Sequence, residues 1–344
     1  MAESVLNLLE QQAANRRATA LLVALFVLFF AWLGFGGDAV LYFNSIDELG
    51  EAHYRVPVIG IVVTIVAGIT ALVTWRTGPR QVLWASGARL LENAQSLEER
   101  QLVNVVEEMA IAAGLPRPRI YLIDDADPNA FATGHDPSTA CVAVTTGMLS
   151  TLNREELQAV VGHEMSHVRN LDVRLMTVMA ALVGVIVLLS DGLGRALRGG
   201  TRGGGLRVGG RGGRKGGAGA IALVLLVLWL VSLLLAPLIS RLMAMAIARK
   251  REYLADAGSA ELTRNPAALA AALEKLEGAA APTASIKRGT AHLCIVDPLG
   301  RRANLKDGKV ADLLGTHPPI AMRISRLRGM AYQAAKREGQ QVTA

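Results

Sequence analysis

Two histidines and a glutamate in the stretch VVGHEMSHVRN, residues 160–170, have the spacing of a metal site that activates water. His163 and His167 are four residues apart, so on a helix both side chains leave the same face and can hold one ion. Glu164 is placed to take a proton from a water molecule that the ion activates. Neutral imidazoles bind zinc well, and HExxH is typical of zinc hydrolases. The stretch therefore predicts one catalytic Zn²⁺ per chain.

The same residues also fit half of a carboxylate-bridged di-iron site, in which Glu164 and His167 form a Glu-x-x-His pair. A di-iron site needs two such pairs. None of the other histidines of the chain has a glutamate three residues earlier. The sequence thus excludes the di-iron interpretation.

A catalytic zinc ion needs a third protein ligand and an open position for water. Glu252 and Asp256 lie four residues apart in RKREYLADAGSA, on a predicted helix. One carboxylate can bind the ion while the other orients an imidazole from behind. The alternative is an ordinary glutamate on a charged helix face, beside Arg249, Lys250 and Arg251.

The elements around HExxH predict an α+β domain. A capping box of Asn153 and Glu156 predicts where the HExxH helix begins. An earlier helix is predicted over residues 97–115, ending at Gly114 and Pro116, with an apolar stripe of Leu97, Val105, Met109 and Ala112. RIYLIDD and CVAVTTGML are predicted strands, separated by PNAFATGHDPS.

Apolar segments at 18–35, 56–75, 175–190 and 221–239 predict four membrane helices, although the third is short. The first two are as long as a helix that crosses the roughly 30 Å hydrocarbon core. The chain is 51% hydrophobic, which suits a membrane part and a folded domain. Its two cysteines cannot form a disulfide framework, so the folded part is expected in a reducing compartment.

The charges around the first two segments predict their orientation. Arg16 and Arg17 precede the first segment as in a signal peptide, but the long amino-terminal region and the lack of an A-x-A site favour an uncleaved anchor. The loop between the segments is acidic, whereas arginines flank the outer ends. By the positive-inside rule, the amino terminus and the chain from residue 76 onward lie in the cytoplasm.

Residues 191–219 hold fourteen glycines and seven basic residues against one Asp, which predicts a flexible loop. If both flanking segments cross the membrane, this loop lies outside the cytoplasm, against the positive-inside tendency. If they form a shallow hairpin, the loop stays inside and contacts anionic headgroups. We adopt the spanning interpretation because the fourth segment is long enough to cross. Binding of RNA is disfavoured because no aromatic residues are interleaved with the loop.

Four motifs in this order, PNAFATG, GHEMSH, REYLADAGSA and THPPIAMRISRL, carry a resemblance to a known family. Residues 100–330 resemble the HtpX group of integral-membrane zinc metalloproteases, which are related to the CAAX prenyl proteases. The resemblance implies that Glu252 is the third zinc ligand and that Asp256 supports the site from behind. It also implies that NAFATG is an edge strand along which an extended substrate binds, at Asn129, Ala130, Phe131 and Ala132.

Two residues near the carboxyl terminus have open interpretations. His317 in THPPI is a candidate donor to the oxyanion of the reaction, or alternatively fixes a turn before two prolines. Arg323 is interpreted as a solvated arginine on a helix, with carboxylate binding as the alternative.

The expected substrates are polypeptide segments that are already extended, because the chain lacks a GxxxxGK[ST] loop and so cannot use ATP to unfold proteins. The resemblance implies quality control of misfolded membrane proteins in a bacterial inner membrane. No nucleic acid is expected despite the net charge of +7, since only 4% of residues are aromatic and no nucleic-acid motif occurs.

Two other classes of function are weighed. An inactive zinc-binding membrane scaffold is disfavoured because Glu164 is intact, and a transporter is disfavoured because the apolar segments contain no charged residue.

The expected fold is a mainly α-helical integral membrane protein with four transmembrane helices and a cytoplasmic α+β zincin-like metalloprotease domain. Residues 1–17 are the cytoplasmic amino terminus, and residues 18–75 form a two-helix membrane hairpin. Residues 76–174 are the first part of the protease domain. Residues 175–240 contain the third and fourth membrane helices with the Gly/Arg-rich loop 191–219, and residues 241–344 are the second part of the protease domain.

Overall fold

A computed structural model of the protein describes residues 2–46, 51–182, 251–279, 293–296 and 318–342. These residues belong to two compact units. The first unit comprises the described residues within Met1–Thr19, Thr77–Ala181 and Leu242–Ala344. The second comprises those within Ala20–Arg76 and Leu182–Arg241.

The second unit is built from parts of two long helices, α1 (Ala2–Asn44) and α2 (Val58–Ala85). Within them, Leu8–Phe43 and Val58–Ala85 are long and apolar enough to cross a membrane. They contain nearly all of the predicted segments 18–35 and 56–75. Large apolar side chains such as Leu28 and Val66 are more than half exposed, as expected for side chains that meet lipid. The described residues thus include two candidate membrane helices, and the segment 221–239 lies outside them.

The first unit contains a four-stranded sheet of β1 (Arg89–Leu90), β2 (Arg119–Ile123), β3 (Ala130–Thr133) and β4 (Cys141–Thr145), in the order β1-β2-β4-β3. β2 and β4 are parallel, and the other two pairs are antiparallel. The predicted strand over CVAVTTGML is shorter than expected. It ends at Thr145 because that side chain accepts a hydrogen bond from the backbone N–H of Met148 and caps helix α4 (Thr146–Thr151).

Helices cover both faces of this sheet. They are α3 (Leu97–Ala113), α5 (Arg154–Arg169), α6 (172–182), α7 (251–263), α8 (Pro266–Gly278) and α9 (Ile320–Val342). Because side chains alternate along a strand, Val142 and Val144 of β4 join the core with α3, α5, α8 and α9. Cys141 and Ala143 face the end of α2 and α6 instead. A mixed sheet buried on both faces is the expected consequence of this arrangement.

Helix α3 confirms its predicted end and corrects its predicted core face. Gly114 caps the helix in the left-handed region at φ +66°, where glycine is favoured. The buried stripe, however, runs through Leu102, Val105, Val106, Met109 and Ala110. Leu97 and Ala112 are exposed. At 3.6 residues per turn, Leu97 points roughly 150° away from the centre of that stripe.

The beginning of the expected third membrane segment, 175–190, lies within the first unit. Residues 175–181 are helical and buried, and Leu175 and Val178 are both 0% exposed. Thr177 Oγ1 is 3.0 Å from Thr133 Oγ1 and accepts a hydrogen bond from the N–H of Gly134. This part of α6 is therefore a covering helix of the sheet, whereas residues 183–190 lie outside the described residues.

Candidate metal centre

Helix α5 presents both histidines of HExxH from one buried face. The predicted capping box is confirmed, since Asn153 and Glu156 exchange side-chain and backbone hydrogen bonds at the start of the helix. His163 and His167 lie about one helical turn apart, and their Nε2 atoms are 3.2 Å from each other. The predicted common face is thus confirmed.

Glu252 on α7 completes a cluster with the two histidines. Its carboxylate oxygens lie 3.7 Å from His163 Nε2 and 3.6 Å from His167 Nε2. One ligand atom from each of the three residues lies within 4.8 Å of the others. Glu252 is only 2% exposed, so the alternative of a glutamate on a solvated charged face is wrong.

Close packing of α7 against α5 brings the glutamate to the histidines. Glu252, Asp256 and Ser259 have the i, i+4, i+7 spacing of one helix face. Ser259 Oγ donates a hydrogen bond to the Ala159 carbonyl on α5 at 2.6 Å. Gly258 permits this approach, because a Cβ atom there would lie 2.1 Å from Ser166 Oγ.

Two aspartates orient the imidazole rings. His163 Nδ1 is 3.0 Å from Asp256 Oδ1, and His167 Nδ1 is 3.2 Å from Asp172 Oδ2. A carboxylate beside Nδ1 favours the tautomer with its hydrogen on Nδ1, which leaves Nε2 free to bind a metal. Asp172 was missed by the sequence reasoning. In the sequence, Asp172 appears only as a carboxylate five residues after the second histidine. Whether its side chain reaches His167 depends on the turn that follows α5.

The atoms at the centre of this cluster fit a divalent metal ion. With the Nδ1 hydrogens directed to the aspartates, both Nε2 atoms present lone pairs to each other and to Glu252. Buried acceptors facing one another are unfavourable unless a cation lies among them. Burial lowers the pKa of His167, but the negative charges of the neighbouring Asp172 and Glu252 outweigh burial and raise that pKa to about 10. The surroundings therefore favour positive charge at this point.

Glu164 stands outside the cluster of His163, His167 and Glu252. It is 1% exposed, and burial raises the pKa of its carboxyl to about 7. The backbone of Ala132 on β3 lies close enough to this carboxylate to act against the effect of burial on its pKa. Among the described residues nothing donates a hydrogen bond to its Oε1 atom, which is also buried. A carboxylate in this environment can both take and release a proton near neutral pH.

Arg323 on α9 is a buried member of the site, and its interpretation as a solvated arginine is wrong. The side chain is 0% exposed. Its Nε and Nη2 atoms bind the two carboxylate oxygens of Asp256 at 2.9 and 2.7 Å, and Nη1 lies 3.1 Å from Glu252 Oε2. Burial raises the pKa of Asp256, but Arg323 and His163 outweigh burial and lower it. Arg323 therefore keeps Asp256 ionised and compensates buried negative charge.

We expect Arg323→Met to lower the free energy of unfolding by about 3 to 5 kcal/mol, because it leaves buried carboxylates without their cation. Thermal or denaturant unfolding in detergent, followed by circular dichroism, measures the change. Arg328→Met on the same helix is the matched control. Arg328 pairs with Glu274 at the exposed surface, where such pairs contribute at most about 1 kcal/mol. Equal effects of both substitutions would contradict the buried role of Arg323.

The residues expected to bind substrate lie on or beside β3 and are all buried: Asn129, Ala130, Phe131 and Ala132. β3 is the last strand in the sheet order, as the edge-strand expectation requires. Residues 293–296 of the same chain contact its outer side. Phe131 forms a β-bridge with Cys294, Ile295 N–H donates to the Ala130 carbonyl at 3.0 Å, and Asn129 Nδ2 donates to the Val296 carbonyl at 3.2 Å. His317 lies outside the described residues.

Comparison with known proteins gives matches over most of the chain. The profile of peptidase family M48 matches residues 96–331. A "Protease HtpX homolog" of Streptococcus gordonii is 39% identical over 94% of this chain and 100% of its own length. One of Lactiplantibacillus plantarum is 41% identical over the same shares. The crystal structure of S. mikatae Ste24p is 18% identical, covers 85% of this chain and 62% of that chain, and has a TM-score of 0.45.

Proposed function

The chain belongs to peptidase family M48 and is a metalloprotease, and from this premise we propose that it is a membrane-bound zinc endopeptidase. His163, His167 and Glu252 hold one zinc ion. The observation that carries the proposal is the convergence of two Nε2 atoms and one carboxylate within 4.8 Å in a buried site. Two imidazoles and a carboxylate are a donor set typical of catalytic zinc, with one position left for water.

The chemistry divides between the ion and Glu164. When bound, zinc supplies Lewis acidity that makes a water molecule nucleophilic near neutral pH. Glu164 takes the proton of the attacking water at its buried Oε1 atom and later donates that proton to the leaving amine. Burial, which raises the pKa of this carboxyl, favours the uptake of the proton from the attacking water. The carboxylate lies beside the backbone of Ala132, and the base is therefore next to the β3 strand edge.

Asp256 and Asp172 act on the histidines and not on the substrate. Each keeps one imidazole in the tautomer whose Nε2 binds metal. Arg323 offsets the charge of Asp256 and touches Glu252, which fixes the carboxylate of the third ligand. These contacts hold the ligands before substrate arrives.

The substrate is an extended polypeptide that lies along β3. Backbone pairing with a strand edge provides affinity with little sequence selectivity. We place the substrate next to Ala132, because its backbone lies beside Glu164, whereas Asn129, Ala130 and Phe131 contact residues 293–296. In this arrangement Asn129, Ala130 and Phe131 stabilise the β3 edge and do not contact the substrate. A folded protein cannot present a segment of this kind without first unfolding.

Purified full-length protein in detergent, loaded with zinc and free of ATP, tests this function. We expect it to cut casein, which is unfolded, and to leave a tightly folded protein of similar size intact. Casein that stays intact with zinc bound would contradict the proposal, as would equal cleavage of the folded protein. Misfolded membrane proteins are the natural substrates that this selectivity and the membrane helices favour.

The membrane topology extends the proposal. We place the amino terminus and the peptidase unit in the cytoplasm of a bacterium, with the catalytic residues on the inner side of its membrane. The acidic loop between the first two segments and the arginines at their outer ends support this orientation.

On the spanning interpretation, in which the chain on both sides of the Gly/Arg-rich loop 191–219 crosses the membrane, we expect a cysteine at Thr201 to react with a membrane-impermeant maleimide in intact spheroplasts. The loop lies outside the described residues. Cys141 and Cys294 are replaced by serine so that Thr201→Cys carries the only thiol. Mass shift on a gel measures labelling. Reaction only after lysis would place the loop in the cytoplasm and favour the shallow hairpin.

A further inference from the structure

The first turns of α1 contact the carboxyl end of the HExxH helix. Residues 2–19 of α1 belong to the same compact unit as the metal centre, although the helix continues into the first apolar segment. Gln12 Nε2 donates a hydrogen bond to the Arg169 carbonyl at 2.8 Å. Asn15 Nδ2 donates to the Asn170 carbonyl at 2.9 Å. These carbonyls belong to the end of α5, where helical carbonyls lack partners of their own.

Asn15 also reaches the aspartate that orients His167. Its Nδ2 atom lies 2.6 Å from Asp172 Oδ1, while Asp172 Oδ2 lies 3.2 Å from His167 Nδ1. One side-chain amide has two hydrogens, so Asn15 can bind the Asn170 carbonyl and the Asp172 carboxylate together. Arg251 Nε, at 3.3 Å from Asp172 Oδ1, is the other described partner of this carboxylate. Asn15 and Asp172 are 8% and 2% exposed.

The turn between α5 and α6 needs such a support. Leu171 lies in the left-handed region at φ +60°, which is uncommon for a residue with a branched side chain. This conformation is strained and persists only where the surroundings enforce it. The turn sends the chain back so that Asp172 faces His167. Asn15 holds the residue before Leu171 and the residue after it.

We propose that Asn15 is a positioning residue of the metal centre, acting through Asp172 on His167. The amino-terminal segment of α1 is then part of the peptidase machinery and not only a lead into the membrane. The proposal rests on the proposed function, since His167 must be a zinc ligand for its orientation to matter. Gln12 contacts a carbonyl of α5 but not Asp172, and therefore provides a matched comparison.

Zinc affinity of the full-length protein, measured by competition with a chromogenic chelator, tests the proposal. We expect Asn15→Ala to weaken zinc binding by about tenfold, the lower end of the range for outer partners of metal ligands. Gln12→Ala should change zinc affinity by less than about twofold, because Gln12 contacts the Arg169 carbonyl and not a partner of a metal ligand. In cobalt-substituted protein, Asn15→Ala should also shift the visible absorption bands, because His167 changes its orientation, whereas Gln12→Ala should not.

Wild-type zinc affinity for Asn15→Ala, or equal losses for Asn15→Ala and Gln12→Ala, would overturn the proposal and leave the segment a purely structural support. Absence of zinc binding by the wild type would instead overturn the proposed function. Asn15→Ser, which keeps one donor, serves as the variant if alanine prevents folding. In the double variant with Asp172→Asn, the two losses should not add, because both act through one contact. Additive losses would contradict the route through Asp172.

Discussion

Glu164→Gln is expected to abolish casein cleavage while one zinc ion stays bound. The carboxylate lies outside the group of His163, His167 and Glu252, so its loss removes the proton acceptor but no ligand. Loss of a general base typically lowers the rate by about 100- to 10,000-fold. Glutamine keeps the size of the side chain but cannot act as a proton acceptor. The rate of casein hydrolysis and the zinc content of the same preparation measure the two parts of this expectation.

Glu155→Gln is the matched control, because it makes the same change at an exposed position of α5. It should leave rate and zinc content unchanged. Turnover by Glu164→Gln at the wild-type rate would remove the proposed base from the mechanism. Loss of zinc together with activity would show that Glu164 is a ligand, against the geometry of the site.

The second large effect is expected from Glu252→Ala, which should remove most of the bound metal. It eliminates one of the three proposed ligands and leaves only the two imidazoles. We expect zinc affinity to fall by more than about 100-fold, since loss of an outer partner alone costs roughly 10- to 100-fold. Atomic emission after dialysis measures the metal. Glu261→Ala, at an exposed position of the same helix, is the control and should retain zinc.

Asp256→Ala should reduce zinc affinity by an amount between those of Glu252→Ala and the control Glu261→Ala. Asp256 binds His163 Nδ1 and Arg323 but is not one of the three clustered ligands, so a loss of roughly 10- to 100-fold in affinity is expected. Zinc content of Glu252→Ala equal to that of the wild type would move the third ligand to another residue. A complete loss in Asp256→Ala alone would exchange the roles of the two carboxylates.

Local patterns in the sequence predicted much of the site. The four-residue spacing of His163 and His167 requires only that the segment be helical, and the capping box at Asn153 fixes where that helix begins. Glu252 and Asp256 were placed on one face by the same rule. That this face meets α5 depended on the family resemblance. The physical cause is the contact at Gly258, which no periodicity reveals.

The parts that sequence reasoning missed depend on contacts between distant elements. Arg323 lies in a helix with exposed basic neighbours, and only the packing of α9 shows that its side chain is fully buried against Asp256. Asp172 faces His167 because Leu171 adopts a left-handed conformation. No glycine at this position indicates that conformation in the sequence. The start of the third apolar segment was predicted as part of a membrane helix, because a helix that covers a sheet can be as apolar as one that crosses a membrane.

The most direct test of the zinc endopeptidase is a titration of activity with metal. Full-length protein is freed of metal with a chelator and dialysed, its metal content is measured, and zinc is returned in known increments while casein hydrolysis is followed. The proposed site predicts no hydrolysis without metal and a linear recovery that levels off at one zinc per chain. Hydrolysis that persists in metal-free protein, or that requires more than one zinc per chain, would contradict a single catalytic ion held by His163, His167 and Glu252.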